Sequence, residues 1–392
     1  MELTVHNHVL IGVFVVAVVL GAVVNKTNFC TMGAVSDWVN MGDKGRLRAW
    51  LLAMAVAIVG VLVLESRGML SLANDVYPPY RTSQFPLLRY VLGGLLFGIG
   101  MTLGSGCGNK TLIRIGGGNI KSLVVLAVIA LSAYAMVWTD FYEVVFYGWI
   151  QPTTINLAAM GAESQTLADL AGAVVGLEDT GTLHMGLAGL IALGLVFYAF
   201  KSSEFRGSLD NILAGVVVGA VIVAGWYVSG GNFEAWQEYA DFADDPPSRV
   251  AIQSFTFIGP MGDLVHYLGQ PSSLEMINFG MVALFGVVVG SFLYSLMSRS
   301  FRVEWFANGK DFVNHVIGGA LMGVGGVLSM GCTIGQGISG VSTLALGSFL
   351  TLASIVFGCA LTMKVQFNLL DEEGFLSALR DALAEMRMLP RK

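Results

Sequence analysis

Long apolar runs constrain this chain more than any other feature of its sequence. A helix that crosses a bilayer requires about 20 apolar residues. Of the 392 residues, 55% are hydrophobic and 12% are charged, about half the charged fraction of a soluble domain. We therefore predict an all-α polytopic membrane protein with about nine transmembrane helices, and no basic surface for nucleic acid. The predicted spans are 8–24, 48–64, 87–104, 121–138, 184–200, 209–228, 276–297, 312–330 and 347–367.

Charged residues are sorted by loop, and this sorting predicts the orientation. Lys and Arg collect in short connections, which the positive-inside rule places in the cytoplasm; these are 25–47, 105–120, 201–208 and 298–311. The acidic segments 139–183 and 229–275 contain one basic residue between them, Arg249. We expect a single transmembrane domain over 1–392, in which these two segments are insertions on the outer face. The N-terminus is then outside, and 368–392 forms a cytoplasmic tail.

One short motif occurs twice, with its copies 225 residues apart. GIGMTLGSGCG (98–108) matches GVGGVLSMGCT (323–333) at three glycines, a leucine and a cysteine. On the orientation above, the span before the first copy runs inward and the span before the second runs outward. This arrangement is expected for an inverted repeat, whose glycine-broken segments meet near the middle of the membrane. We therefore predict broken or re-entrant helices and an inverted internal repeat.

The first copy also comes within one residue of a nucleotide-binding loop. GSGCGNKT would complete the pattern G-x-x-x-x-G-K-[ST] if Asn109 were glycine. Such a loop follows a β-strand of a soluble domain and cradles phosphate at a helix N-terminus. Here the preceding segment is a membrane span, and the second copy has no Lys-Ser/Thr pair. The feature shared by the copies is Gly-Cys in a broken apolar segment, so we predict neither an ATPase nor a bound cofactor.

Three of the four cysteines share one sequence context. Cys30, Cys107 and Cys332 each follow a long apolar run and are flanked by small or polar residues, whereas Cys359 lies inside an uninterrupted apolar helix. Irregular backbone at membrane depth is tolerated only where it is buried in protein or lines a cavity. We expect Cys359 to pack as a small apolar residue. The other three are candidates for a functional site, with plain packing as their alternative.

Three kinds of chemistry are open to such a set of cysteines. A metal site requires thiolates, and the chain has no C-x-x-C and no histidine beside a cysteine motif, so we predict no metal. A redox relay requires a resolving partner and usually an acidic thiol. Neutral thiols could instead line a route for a soft, sulfur-containing anion, because S–H is a weak donor and carries no repelling charge.

An anion also requires positive potential and neutral hydrogen bonds along its route. Helix N-termini at the breaks supply partial positive charge and free N–H groups. Lys110 is placed to draw an anion to one mouth, although basic residues in a cytoplasmic loop are also what topology alone demands. Asn109, Thr111, Thr333 and Gln336 offer neutral hydrogen-bonding groups, with helix capping or solvation as their alternative.

At these residues the chain resembles the YeeE/YedE sulfur-transport family of bacterial inner-membrane proteins. The resemblance rests on NFCTMGAVSDW, GSGCGNKTL and MGCTIGQGISG, in that order, and on the arrangement of spans over 8–367. It implies a compact helical transporter with re-entrant loops from both sides and three cysteines that line a thiosulfate path, here Cys30, Cys107 and Cys332. Some relatives have GCTSGHG where this chain has GCTIGQG, so substrate preference can differ at Gln336.

The resemblance and the residues together predict a permease rather than an enzyme. It would import thiosulfate or a closely related small sulfur-containing anion through a cysteine-lined constriction. The implied partners are a small sulfur-carrier protein inside or a sulfur-binding protein in the periplasm, beside the lipid bilayer itself. Two alternatives remain: a membrane-bound sulfurtransferase that forms a persulfide on one cysteine, and a sensor or scaffold subunit of a sulfur-oxidation system.

Overall fold

The structure is almost entirely helical. The computed structural model describes residues 4–73, 76–177, 179–271, 274–371, 374–386 and 388. Two short strands, β1 (Gln84–Pro86) and β2 (Thr154–Asn156), pair antiparallel. The α-helices are α1 (Val5–Thr27), α2 (Thr31–Ser36), α3 (Gly45–Ser66), α4 (Leu87–Leu103), α5 (Gly108–Gly116), α6 (Ile120–Trp138), α7 (Gly148–Ile150), α8 (Leu167–Val175), α9 (Gly181–Phe200), α10 (Ser203–Gly207), α11 (Leu209–Gly230), α12 (Phe233–Phe242), α13 (Ile258–Gly269), α14 (Phe279–Met297), α15 (Gly309–Leu328), α16 (Leu346–Asn368) and α17 (Phe375–Glu385).

Nine helices in the described part of the chain are long and apolar enough to cross a membrane, and they confirm the nine predicted spans. They are α1, α3, α4, α6, α9, α11, α14, α15 and α16. Several begin at a side chain that caps the helix: Asn119, Ser208, Asn278 and Asn308 each accept a hydrogen bond from the backbone N–H three residues on. Such caps satisfy N–H groups that the helix itself leaves without partners.

Eight of these helices form two halves related by a pseudo-two-fold axis. α1 packs on α14 as α11 packs on α3, and α4 packs on α16 as α15 packs on α6. The pairs are interchanged when α1, α3, α4 and α6 are matched in order with α11, α14, α15 and α16. Because α9 lies between the halves in the chain, matched helices cross the membrane in opposite directions. The packing therefore confirms the inverted repeat that the short motif predicted.

Glycine allows the two central helices, α4 and α15, to approach closely. A Cβ atom at Gly93 would lie 2.8 Å from the carbonyl oxygen of Gly325, and one at Gly318 would lie 2.6 Å from that of Gly100. Both distances are too short for any side chain. Gly93 and Gly318 are separated by the same 225 residues as Gly100 and Gly325, so the two contacts are equivalent under the pseudo-symmetry. Small residues are the usual means of such close packing between membrane helices.

The two motif copies interrupt their helices in the same way. After α4 and after α15 the backbone turns through one left-handed residue, Ser105 with φ 57° and Met330 with φ 59°. Cys107 and Cys332 follow, each directly before a new helical segment. These segments are α5 and residues 333–342, which are π-helical over Gly335–Gly340. The prediction of broken helices is confirmed.

A re-entrant segment arises from a region predicted to be an external insertion. Residues 251–257 are buried, largely non-helical chain that enters the bundle, and α13 returns from that depth, buried at its start and exposed at its end. Part of the segment 229–275 is therefore buried within the helix bundle. Hydropathy could not reveal this, because the 12 residues of α13 are too few for a span.

The C-terminal tail packs on the bundle through one face. α17 contacts α16, and its Ala378 and Ala382 are buried beside Val365. Lys364 and Glu385 form an ion pair at 2.6 Å across this contact. Within the predicted tail 368–392, residues 372–373, 387 and 389–392 lie outside the described residues.

Candidate functional site

Three cysteines occupy the same local position, the N-cap of a short helical segment, and we call them the N-cap cysteines. Cys30 precedes α2 and accepts a hydrogen bond from the Gly33 N–H at 3.5 Å. Cys332 accepts one from the Gly335 N–H at 3.4 Å. Cys107 precedes α5, and all three are buried. An N-cap side chain faces the unpaired N–H groups of the helix that follows, so each sulfur lies at a weakly positive helix end.

The segments that carry the N-cap cysteines contact one another, and we call Cys30, Cys107, Thr333 and Cys332 the row. The thiols of Cys30 and Cys107 are neighbours. The Cys107 thiol also lies beside the hydroxyl group of Thr333, which follows Cys332 in the chain. The order in space is therefore Cys30, Cys107, Thr333 and Cys332. Segments from both halves of the repeat contribute to this row.

The re-entrant segment reaches the far end of the row. The Cys332 thiol lies beside the side chain of Thr256 and the backbone of Phe257, the N-cap residue of α13. A Cβ at Gly108 would lie 2.9 Å from Ile258, so α13 also touches the start of α5. Three helix N-termini thus converge near Cys332 and Cys107. Sequence reasoning missed α13, although its N-terminal stretch FTFIGP carries the same break in an apolar run.

Each N-cap cysteine is accompanied by a buried oxygen that has no hydrogen-bond partner among the described residues. These are the Thr31 Oγ1, the Asn109 Oδ1 and the Thr333 Oγ1, all within two residues of their cysteine. A buried polar group without a partner costs about 1–3 kcal/mol, and native proteins leave few of them. The two threonine hydroxyl groups among them can donate to a bound anion, whereas the Asn109 Oδ1 can only accept.

A cavity of about 880 Å³ opens at one end of the row, on the face where α1 ends. Cys30 is the N-cap cysteine in its wall, and Lys110 lies in the same wall with its Nζ 3.1 Å from the Asn28 Oδ1. One acidic residue, Glu304, belongs to the lining that the structure describes. The basic residues that line the cavity are Lys26, Arg46, Lys110, Arg114, Lys121 and Arg302. This arrangement supports an electropositive vestibule that leads to Cys30.

Two further predicted site residues have hydrogen-bond partners within the protein, as Lys110 does. The Thr111 hydroxyl donates to the carbonyl oxygen of Cys107 at 3.1 Å. The Gln336 Nε2 donates to the Ser329 carbonyl oxygen at 2.6 Å, and its Oε1 accepts from Ser348 Oγ at 2.6 Å. In this conformation Thr111 stabilises the first turn of α5, and Gln336 connects the end of α15 to α16.

Cys359 lies apart from the row, in the middle of α16. It is buried, and its sulfur accepts a hydrogen bond from the Thr102 hydroxyl at 3.3 Å. In the part of the chain that the structure describes, no group of three or more His, Cys, Asp or Glu side chains is arranged to hold a metal ion.

The fold and the row define the class of protein. Two inverted halves of an α-helical membrane protein bring their broken helices together at buried polar groups. This is the architecture of secondary transporters. The chain belongs to the sulphur transport family, which matches residues 26–361. It is 24% identical over 360 residues to the thiosulfate transporter TsuA of Escherichia coli K12, covering 86% of this chain and 89% of that protein. It is 22% identical over 353 residues to the thiosulfate transporter TsuA of Spirochaeta thermophila, covering 87% and 94%.

Proposed function

We propose that the protein is a permease of the bacterial inner membrane that imports thiosulfate, or a closely related small sulfur-containing anion, without changing it chemically. The family match and two relatives named as thiosulfate transporters support this function. The observation that carries it is the row of N-cap cysteines, which joins both halves of an inverted repeat at buried helix breaks.

The chemistry of the row suits such an anion. Thiosulfate carries two negative charges, three hard oxygens and one soft terminal sulfur. Neutral thiols can contact the soft sulfur as weak donors, while helix N–H groups and the Thr31 and Thr333 hydroxyls can donate to the oxygens. Because none of these groups carries a full positive charge, the anion is stabilised at each position without being trapped there.

The orientation assigns a direction to the path. We place the N-terminus in the periplasm and the C-terminus in the cytoplasm, since basic residues concentrate in the connections on the latter side. The electropositive vestibule at Cys30 is then the cytoplasmic mouth. In this scheme a small sulfur-carrier protein would collect the anion there, or a periplasmic sulfur-binding protein would deliver it at the opposite face.

Uptake by the purified protein in vesicles tests the proposal. Radiolabelled thiosulfate should enter protein-containing vesicles faster than empty ones, and unlabelled thiosulfate should compete better than sulfate, because sulfate lacks the soft sulfur. Intact protein mass should stay unchanged after incubation with thiosulfate. A sulfur adduct on one cysteine without uptake would contradict transport and would favour a sulfurtransferase instead.

A further inference from the structure

Three ionisable side chains lie together at the membrane face opposite the vestibule. Arg81 donates from Nη1 and Nη2 to the two carboxylate oxygens of Glu65, at 2.6 and 3.0 Å. His184 Nε2 lies 3.7 Å from the Glu65 Oε2. The three side chains are 15–19% exposed, and they come from the end of α3, the segment before β1 and the start of α9. Ionisable groups with so little exposure are costly unless they are paired.

One nitrogen of His184 lies close to both Arg81 and Glu65. Arg81 Nη2 lies 3.4 Å from His184 Nε2. A guanidinium group can only donate, so a hydrogen bond between these two atoms requires that Nε2 carries no proton. A proton added at Nε2 would place two cations against each other and would direct a new N–H towards Glu65. Protonation therefore favours transfer of Glu65 from Arg81 to His184, and histidine is the side chain that changes charge near neutral pH.

Arg81 also contacts the chain directly after the helical segment 333–342. Its Nε donates to the carbonyl oxygen of Thr343 at 3.2 Å. The neighbouring Tyr80 hydroxyl donates to the carbonyl oxygen of Gly335 at 2.7 Å. Gly335 lies within the helical segment that follows Cys332, and Thr343 comes directly after that segment. A displacement of Arg81 therefore acts on the end of the segment that begins after Cys332.

The surrounding charge favours a proton over an anion at this position. A cavity of about 500 Å³ adjoins the cluster, and Arg81 is the one Lys or Arg among its described lining residues. Glu163 and Asp169 line it as well. Burial alone would raise the pKa of Asp169, but hydrogen bonds from two neighbouring hydroxyl groups lower its pKa. Asp169 therefore stays ionised, and the cavity attracts positive charge to His184 and Glu65.

We propose that Glu65, Arg81 and His184 form the proton-binding site that couples thiosulfate import to a proton gradient. This inference rests on the proposed function. An inside-negative membrane potential opposes the entry of a dianion, and co-transported protons offset that charge. A proton arriving from the outer cavity releases Arg81 from Glu65, loosens its hold on the Thr343 carbonyl and frees the segment after Cys332 to open outward.

Vesicles containing the full-length protein allow proton coupling to be measured directly. The membrane potential is clamped at zero with potassium and valinomycin, and external pH is set below internal pH. Each coupled proton should raise the equilibrium accumulation of radiolabelled thiosulfate about tenfold per pH unit of gradient. A trapped pH-sensitive dye should report acidification of the vesicle lumen when thiosulfate is added outside.

Two variants connect this effect to the cluster. Glu65→Gln and His184→Gln remove the proton acceptors while keeping side-chain size, so accumulation driven by the pH gradient should be lost in both. Exchange of labelled for unlabelled thiosulfate at equal pH requires no net proton movement and should persist at a measurable rate. Glu385→Gln and His8→Gln, which change an exposed ion pair and an exposed histidine elsewhere, should retain the pH-driven accumulation.

The outcomes separate the two proposals. The proton site is refuted if wild-type uptake does not depend on the pH gradient and the dye signal does not change. Normal coupling of uptake to the pH gradient in both glutamine variants would refute it as well. Absence of any thiosulfate uptake or exchange by the wild-type protein refutes the proposed function instead. The wild-type measurement decides whether protons move even if one variant fails to fold.

Discussion

Thr333 is the position at which stability and transport should change in opposite directions. Its side chain is fully buried, and its hydroxyl group lies beside the Cys107 thiol but does not meet hydrogen-bond geometry with any described residue. Thr333→Val replaces that hydroxyl with a methyl group of nearly the same size. Because an unpaired buried polar group costs about 1–3 kcal/mol, the variant should be more stable by roughly that amount.

The same substitution should impair transport. The hydroxyl lies beside Cys107 at the centre of the row, where it can donate to the passing anion. A hydrogen bond to a charged group contributes about 1.5–3 kcal/mol, which corresponds to a roughly 10- to 150-fold loss of uptake at low substrate concentration. Thermal unfolding in detergent and uptake of radiolabelled thiosulfate into vesicles measure the two effects on the same preparation.

A matched control is available on α16. The Thr362 hydroxyl donates to the Gly358 carbonyl oxygen at 2.8 Å, so Thr362→Val should lose about 0.5–1.5 kcal/mol of stability and keep its uptake per folded molecule. If Thr333→Val is instead destabilised and transports normally, the hydroxyl is paired within the protein and the row is not the anion path.

Four further predictions follow from the geometry. Cys→Ser at each N-cap cysteine should leave insertion intact and remove most thiosulfate uptake, most strongly at Cys107 and Cys332. Near-normal uptake by all three variants would exclude direct thiol contact. Cys359→Ala should keep most uptake and lose about 1 kcal/mol of stability, and an inserted but inactive variant would contradict its packing role. A reporter fused within 139–183 should give a periplasmic signal, whereas a cytoplasmic signal would reverse the orientation. Gly93→Leu should prevent folding, because a side chain there blocks the crossing of α4 and α15. Gly194→Leu should insert normally, because no described atom lies within 4 Å of the added Cβ. Immunoblots of membrane fractions measure both outcomes.

Hydropathy and motif repetition were sufficient to predict the membrane architecture. Lipid leaves the backbone few ways to satisfy its polar groups, so the nine apolar runs had to become helices. The matching Gly-Cys breaks in oppositely directed spans then specified an inverted repeat. The N-cap positions of Cys30, Cys107 and Cys332 also follow from sequence, because a break before a small polar run is where a new helix must begin.

Contacts between distant segments could not be predicted in this way. α13 is too short to register as a span, yet it completes the row at Cys332. The partners of Gln336 lie on α16 and at the end of α15, and no local pattern reveals that they hold its amide at both ends. Glu65 and His184 each resemble an ordinary residue at a helix end. Their meeting with Arg81 depends on how α3 and α9 pack.

α9 packs on α3 and belongs to neither half of the repeat. A segment with four crossings returns the chain to the face from which it started, so two such segments joined directly would have the same orientation. The single additional crossing made by α9 inverts the second. Tandem duplication of a four-helix ancestor followed by the gain of one helix is therefore sufficient to give this antiparallel architecture. Conversely, a natural deletion of α9 would keep every residue of the row in the gene. It would nevertheless reverse the orientation of α11–α16 across the membrane and move Cys332 with them.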